Sequence, residues 1–274
     1  EIASCLVGSE MCIRDRNVPQ YELYVFDAED RKPVKINTDK WPDQTLRVLQ
    51  AGKNSNQIFF QRKRRTCDEI DICRADTRTG EVKVLINEIS KPYFNNDFFH
   101  LSLLNEGEDI IWWSERTGHG HFYHYDGEGN LKNAITAGNW TAGKMVKIDT
   151  VGRTIYFGAY GQEKGACPYY ARENKARIDG NGQVEVLTPE QATHEAYFSK
   201  SGRYFVDNYS RADLEPRSVL RDNKGKVILE LASPDLTRLY EAGWKMPEPF
   251  TVKAADGHTD CLLYTSPSPR DKRQ

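Results

Sequence analysis

Between Thr45 and Leu231 the apolar and polar positions of this chain repeat as one unit, four times over. Each unit has an apolar strand, a glycine turn, an aromatic-rich strand, a polar strand, an Asp-led turn and a last β-branched strand. The aromatic strands are Ile58-Phe59-Phe60, Ile110-Ile111-Trp112-Trp113, Ile155-Tyr156-Phe157 and Tyr204-Phe205-Val206. A turn with Gly52, Gly107, Gly152 or Gly202 precedes each, and before that turn the pattern predicts strands over Thr45–Gln50, Phe98–Leu104, Met145–Asp149 and Glu195–Ser199. Downstream, hairpins turn at Asp76–Gly80, Asp126–Gly129, Asp179–Gly182 and Asp222–Gly225. Aspartate bonds its own turn backbone, and glycine accepts positive φ there. Closing strands are predicted at Glu81–Ile86, Gln183–Leu187 and Lys226–Leu231, where apolar and polar residues alternate. Four strands per repeat of about 50 residues is the pattern of a β-propeller blade. A half-unit, Tyr21–Thr38 with its turn at Asp27, precedes the first full blade, so the fold class is all-β, with about four to five four-stranded antiparallel blades.

Past the last repeat the texture changes. Ser233-Pro234-Asp235 predicts a short helix over about Pro234–Glu241, with Ser233 as N-cap and Pro234 at the first helical position. Residues 247–260 then bring prolines, the strand-like Phe250–Lys253 and a turn at Asp256-Gly257, a pattern that predicts a crossing into another domain.

Both ends depart from the repeat. Cys261–Asp271, reading CLLYTSPSPRD, matches one translated frame of a common sequencing adaptor, and Leu6–Asp15, reading LVGSEMCIRD, matches its reverse complement. Residues 1–16 and 261–274 are therefore expected to be non-native and without a fold of their own, which leaves 17–246 as propeller within an internal piece of a longer gene. The formal net charge of −2 becomes −3 once the ends are set aside, so no electrostatic case for nucleic acid arises. Cys67, Cys73 and Cys167 remain, an odd number without a disulfide framework, and unpaired thiols are expected for Cys67 and Cys73. With a mean hydropathy of −0.70 and no long apolar run, residues 17–260 hold no membrane-spanning helix.

Several residues invite chemistry. His119, His121 and His124 could suggest a metal, but a third ligand at fixed geometry is needed, and ring nitrogens bonded to backbone carbonyls are expected instead. No cofactor or metal is predicted. The run Arg62–Arg65 is expected at a strand connection, solvated and partly neutralised by Asp68, Glu69 and Asp71. Trp112, Trp113, Tyr156, Phe157, Tyr204 and Phe205 are assigned to packing between blades. Tyr93, Phe94, Asn95 and Asn96, in a polar connection, are the substrate-binding candidates: two rings that could stack on a peptide and two amides that could bond its backbone.

The stretches Ile58–Leu85, Ser114–Asp126, Ala137–Asp149, Phe198–Pro216 and Pro247–Asp260 together resemble, in family order, the N-terminal propeller of the dipeptidyl peptidase IV branch of the prolyl oligopeptidase family. The resemblance implies an eight-bladed propeller and a C-terminal α/β-hydrolase domain that supplies Ser, Asp and His. It implies a serine exopeptidase that releases N-terminal dipeptides with Pro or Ala second. The propeller would gate entry and hold the substrate's free amino terminus with carboxylates. Its partners would be a peptide substrate and the chain's own hydrolase domain; a homodimer of the full-length protein stays open, and a periplasmic or secreted setting is expected. The sequence contains no Gly-x-Ser-x-Gly and no adjacent Glu-Glu pair, so no catalytic residue can be assigned and the piece alone is expected to be inactive. The alternative is a propeller that only binds proteins or peptides, without catalysis.

Overall fold

In the computed structural model, residues 19–26, 31–53 and 56–264 are described. The turn at Asp27 and residues 1–16 and 265–274 lie outside them. Among the described residues are four four-stranded antiparallel sheets, each a simple meander in chain order. The first holds β3 (Gln44–Ala51), β4 (Gln57–Arg64), β5 (Glu69–Asp76) and β6 (Val82–Ile89). The second holds β7 (Leu101–Leu104), β8 (Asp109–Ser114), β9 (His121–Asp126) and β10 (Leu131–Ala134). The third is β11 (Thr141–Asp149), β12 (Thr154–Tyr160), β13 (Arg172–Arg177) and β14 (Glu185–Val186); the fourth is β15 (Thr193–Phe198), β16 (Tyr204–Arg211), β17 (Leu214–Asp222) and β18 (Val227–Ala232). The predicted half-unit is the pair β1 (Tyr24–Phe26) and β2 (Pro33–Lys35). These are propeller blades, as the repeat predicts. They fall into two compact units, residues 1–135 and 136–274.

Because side chains alternate along a strand, a central strand presents side chains to both faces of its sheet. Phe59, Ile70 and Ile72 of the first sheet pack with Ile110, Trp112, Tyr123 and Tyr125 of the second. On the opposite face Phe60, Cys73 and Ala75 pack with Ile36, Leu23 and Val25 beside the two-stranded pair. Tyr156 and Leu187 of the third blade meet Ala196, Phe198 and Phe205 of the fourth. Buried on both faces, Cys73 has its thiol pushed up to about 12 by desolvation, and Cys67, Cys73 and Cys167 are free thiols.

The Asp-led turns join neighbouring blades. Asp126 accepts the amide protons of Glu128 and Asn130, which presses Gly129, at φ +88°, against the preceding blade. A Cβ there would sit 2.3 Å from the carbonyl oxygen of Leu85. The same contact recurs at Gly225, where a Cβ would lie 2.2 Å from the carbonyl oxygen of Leu187. Arg74 of β5 donates to the carbonyl of Gly127 and pairs with Glu128, and Lys175 of β13 donates to the carbonyl of Asn223.

Five local expectations need correction. Arg62 is buried within β4 rather than solvated in a connection: alternation turns it inward beside Phe60, directly across from Asp71, to which it donates at 2.7 Å. Burial opposes the charge of Asp71, but bonds from Asn87, Lys40 and Arg62 hold its carboxyl below the usual range. His124 has Nε2 on Asp109 at 2.5 Å and Nδ1 on Asn133 at 3.3 Å, side chains where backbone carbonyls are expected. Tyr204 is 43% exposed, unlike the buried Trp112, Trp113, Tyr156, Phe157 and Phe205. The helix α1 covers only Thr237–Glu241, with Leu236 at the N-cap position, because Asp235 captures the amide and hydroxyl of Thr237. Beyond it β19 (Pro249–Lys253) pairs with β20 (Asp260–Tyr264), so Cys261–Tyr264, assigned above to the non-native end, lie in a hairpin strand.

Two outcomes follow from the packing. Gly129→Ala forces a Cβ onto a carbonyl and an L-residue into positive φ, so chemical denaturation should register a loss of about 1–3 kcal/mol or more. The fourth sheet leaves Tyr197, Tyr204 and Leu229 on its open side, and all of β18 is exposed, including Ile228 and Leu231. Such a face drives association, so sedimentation of this chain should give concentration-dependent oligomers; a monodisperse monomer would contradict the exposure.

Candidate functional site

The connection from β6 to β7 carries the four residues predicted to bind substrate. It is pinned at both ends by the first sheet: Ser90 donates its amide to Asp68 O at 2.9 Å, and Phe94 donates its own to Cys67 O at 2.9 Å. Between them the Ser90 hydroxyl donates to Tyr93 O, and past them the Asn95 side-chain oxygen takes the Asp97 amide in an Asx turn. Tight anchoring divides the four residues. Phe94 is buried in the core against the first and second sheets and serves as the plug of the loop, not as a stacking surface. Tyr93 is thrown outward and is 64% exposed. Asn96 is exposed, and Asn95 is half-buried with its oxygen committed to the turn.

An open cleft of about 550 Å³ runs along this loop, lined by Ser90, Lys91, Tyr93, Asn95, Asn96 and Glu115. A second cleft, about 390 Å³, shares Ser90, Lys91 and Glu115 with the first and is lined also by Phe94 and Trp113. Its wall is a polar network that the sequence reading missed. Glu88 at the end of β6 accepts from the Trp112 indole at 2.6 Å, from the Ser114 hydroxyl and from Arg116 at 2.9 Å. Arg116 also donates to the Ser114 hydroxyl at 2.9 Å and to the Tyr125 hydroxyl at 2.6 Å, and lies 4.2 Å over the Tyr123 ring. Burial opposes the Arg116 charge, yet Tyr125 and Glu88 raise its pKa further. The only forewarning is the alternation that puts Trp112, Ser114, Tyr123 and Tyr125 on one face of β8 and β9.

Chemically, the two clefts offer binding rather than bond cleavage. A rigid wall of bonded polar groups, one exposed ring, amides and the Lys91 and Glu115 charges suit an extended peptide with its backbone groups unsatisfied. Acyl transfer needs a serine, an imidazole and an orienting acid together. His100 does meet Ser102 at 2.8 Å, but burial lowers that imidazole to about 4, a weak proton acceptor at neutral pH. His194 faces Asp207 and the backbone oxygen of Glu190 instead of a hydroxyl. His121 and His124 are buried, and no group of three or more His, Cys, Asp or Glu able to hold a metal is found among the described residues.

The model of the dipeptidyl peptidase IV N-terminal region matches residues 15–216. A probable dipeptidyl peptidase 4 of Trichophyton verrucosum is 22% identical over 260 residues, 88% of this chain and 33% of its own length. The dipeptidyl peptidase 4 of Trichophyton tonsurans is 23% identical over 258 residues, with 88% and 32% covered. Among solved structures, Porphyromonas gingivalis dipeptidyl peptidase 4 superposes with a TM-score of 0.72 at 20% identity, over 89% of this chain and 34% of that one. A putative dipeptidyl aminopeptidase IV from Bacteroides ovatus gives 0.64 at 21% identity, over 89% and 36%. The chain thus spans about a third of the length of these relatives. Sheet topology, the repeat and the matched residues converge: this chain belongs to the dipeptidyl peptidase IV N-terminal region family.

Proposed function

We propose that this chain is the propeller portion of a serine exopeptidase that releases N-terminal dipeptides with Pro or Ala second, and that it gates and helps bind the peptide. The observation that carries this reading is the family match over residues 15–216. The fold supports it: past the four blades the chain forms a separate hairpin, β19–β20, consistent with a crossing into a peptidase domain. That domain would contribute nucleophile, base and oxyanion donors, and the propeller would read the substrate's free amino terminus. An exported setting agrees with a peptidase that acts on short peptides.

Within this portion, Tyr93 and Asn96 line the cleft beside the Ser90–Asp97 loop and would contact the peptide, and Phe94 would hold the loop in place. The chain by itself should show no peptidase activity, because removing a catalytic constellation costs many orders of magnitude in rate. A longer gene product that includes the peptidase domain should cleave an Xaa-Pro chromogenic amide and fail when the amino terminus is acetylated. Equal rates on both substrates would point to an endopeptidase, and no cleavage of either to a binding scaffold. In that protein Tyr93→Ala should raise KM about 2–10-fold with kcat unchanged, the worth of one lost ring contact; an unchanged KM would remove the loop from the peptide path.

A further inference from the structure

A separate cleft, about 510 Å³, lies at the end of the third sheet where β11 turns into β12 and β13 into β14, and Asn223 of the fourth blade is part of its lining. The loop Ser90–Asp97 belongs to the opposite end of its own blade, past the end of β6. Register puts Asp149, Thr154 and Arg177 in one cross-strand row on the face that meets this cleft, and Lys147, Tyr156, Lys175 and Glu185 in the next. The charges of the second row are committed. Lys147 donates to the carbonyls of Ser199 and Lys200, and Lys175 donates to Asn223 O at 2.9 Å and pairs with Glu185 at 3.0 Å.

Three groups are left over. Asp149 gives Oδ1 to the Gly152 amide at 2.8 Å and has no cation partner among the described residues, and Arg177 has no carboxylate partner among them. Tyr156 is 5% exposed, with its ring packed on Phe198 at 4.5 Å, yet its hydroxyl opens to the cleft and bonds none of the described residues. Burial, with the charges of Asp149 and Glu185 adding to it, raises the phenol above its usual range, so the hydroxyl keeps its proton at neutral pH. The first blade shows that packing does not require these groups. Phe59 and Asp76 hold the register positions of Tyr156 and Arg177 there. The Phe59 ring is capped by Gly107, Asp76 is spent on the amides of Arg78 and Thr79, and the corresponding cleft is only about 290 Å³.

An unpaired acid and an unpaired base thus stand on either side of β12 with an open hydroxyl beside them. We propose that this cleft binds a zwitterionic dipeptide, with its carboxylate on Arg177 and its ammonium group on Asp149 and the Tyr156 hydroxyl. Size selects the class. The backbones of Asp149 and Arg177 are two strand spacings apart, about 10 Å. A free amino acid carries both charges on one carbon and is too short to meet both groups. A second residue adds about 3.5 Å of chain, and the long arginine side chain covers the rest. The site is distinct from the clefts beside Ser90–Asp97 and needs no peptidase activity.

Ligand-observed NMR titration of this chain with Ala-Pro, N-acetyl-Ala-Pro and Ala-Pro amide tests the assignment, and it is read apart from any turnover by a longer gene product. Ala-Pro should bind saturably, and each blocked form about tenfold more weakly, the worth of one charge-assisted bond. Arg177→Gln should weaken Ala-Pro to the level of the amide and leave the amide unchanged, and Asp149→Asn, which keeps the turn acceptor, should do the same for the acetylated form. Tyr156→Phe copies Phe59 and keeps the packing; it should weaken Ala-Pro about 2–10-fold. No saturable binding at millimolar Ala-Pro would overturn the proposal. So would equal binding of the blocked dipeptides, or variants that bind and discriminate like the parent chain.

Discussion

Stacking one sheet on the next is the constraint on which this structure depends, and it acts through the turn between the third and fourth strands of a blade. Aspartate ties the turn to itself, and a glycine at positive φ leaves no Cβ. The backbone of one blade then comes within contact of the last strand of the blade before, at Gly129 on Leu85 and at Gly225 on Leu187. A basic residue of the earlier blade, Arg74 or Lys175, reaches across to a carbonyl of the same turn. Close approach at this point sets how deeply the aromatic strands interlock, and so places Trp112 and Tyr123, or Tyr156 and Phe205, in shared cores.

Burial on both faces makes polar residues expensive inside the blades, and the chain answers with pairs. Arg62 with Asp71, His124 with Asp109, and His194 with Asp207 and Arg221 each satisfy a carboxylate that would cost several kcal/mol if left alone. Such pairs add little net stability over a hydrophobic replacement, but removing one partner is costly. Glu173, whose Oε2 is buried without a partner, breaks the rule.

The same economy shapes the candidate site. Two adjoining clefts are built on one loop, which is anchored by Phe94 and by backbone bonds to Asp68 and Cys67. Rigid anchoring pushes Tyr93 and Asn96 outward and supports the wall formed by Glu88, Arg116, Trp112 and Tyr125. A surface of this kind can present groups to an extended peptide at little entropic cost, because its own side chains are already held.

Strand period, turn chemistry and family were legible in the sequence, because alternation and Asp/Gly turns are local and repeat at a fixed spacing. They place the aromatic strands in the second position of each sheet, and Asp76, Asp126 and Asp222 hold their turns as the pattern predicts. The loop Tyr93–Asn96 was legible as a candidate, but not that Phe94 turns inward while Tyr93 turns out. Tertiary structure alone decided which polar residues meet. Arg62 finds Asp71 across a hairpin, Arg116 finds Glu88 from 28 residues away, and Arg221 finds Glu190 from 31. Alternation states which face a side chain occupies; only the stacking of blades determines what stands opposite it, and with it whether a buried charge is paired.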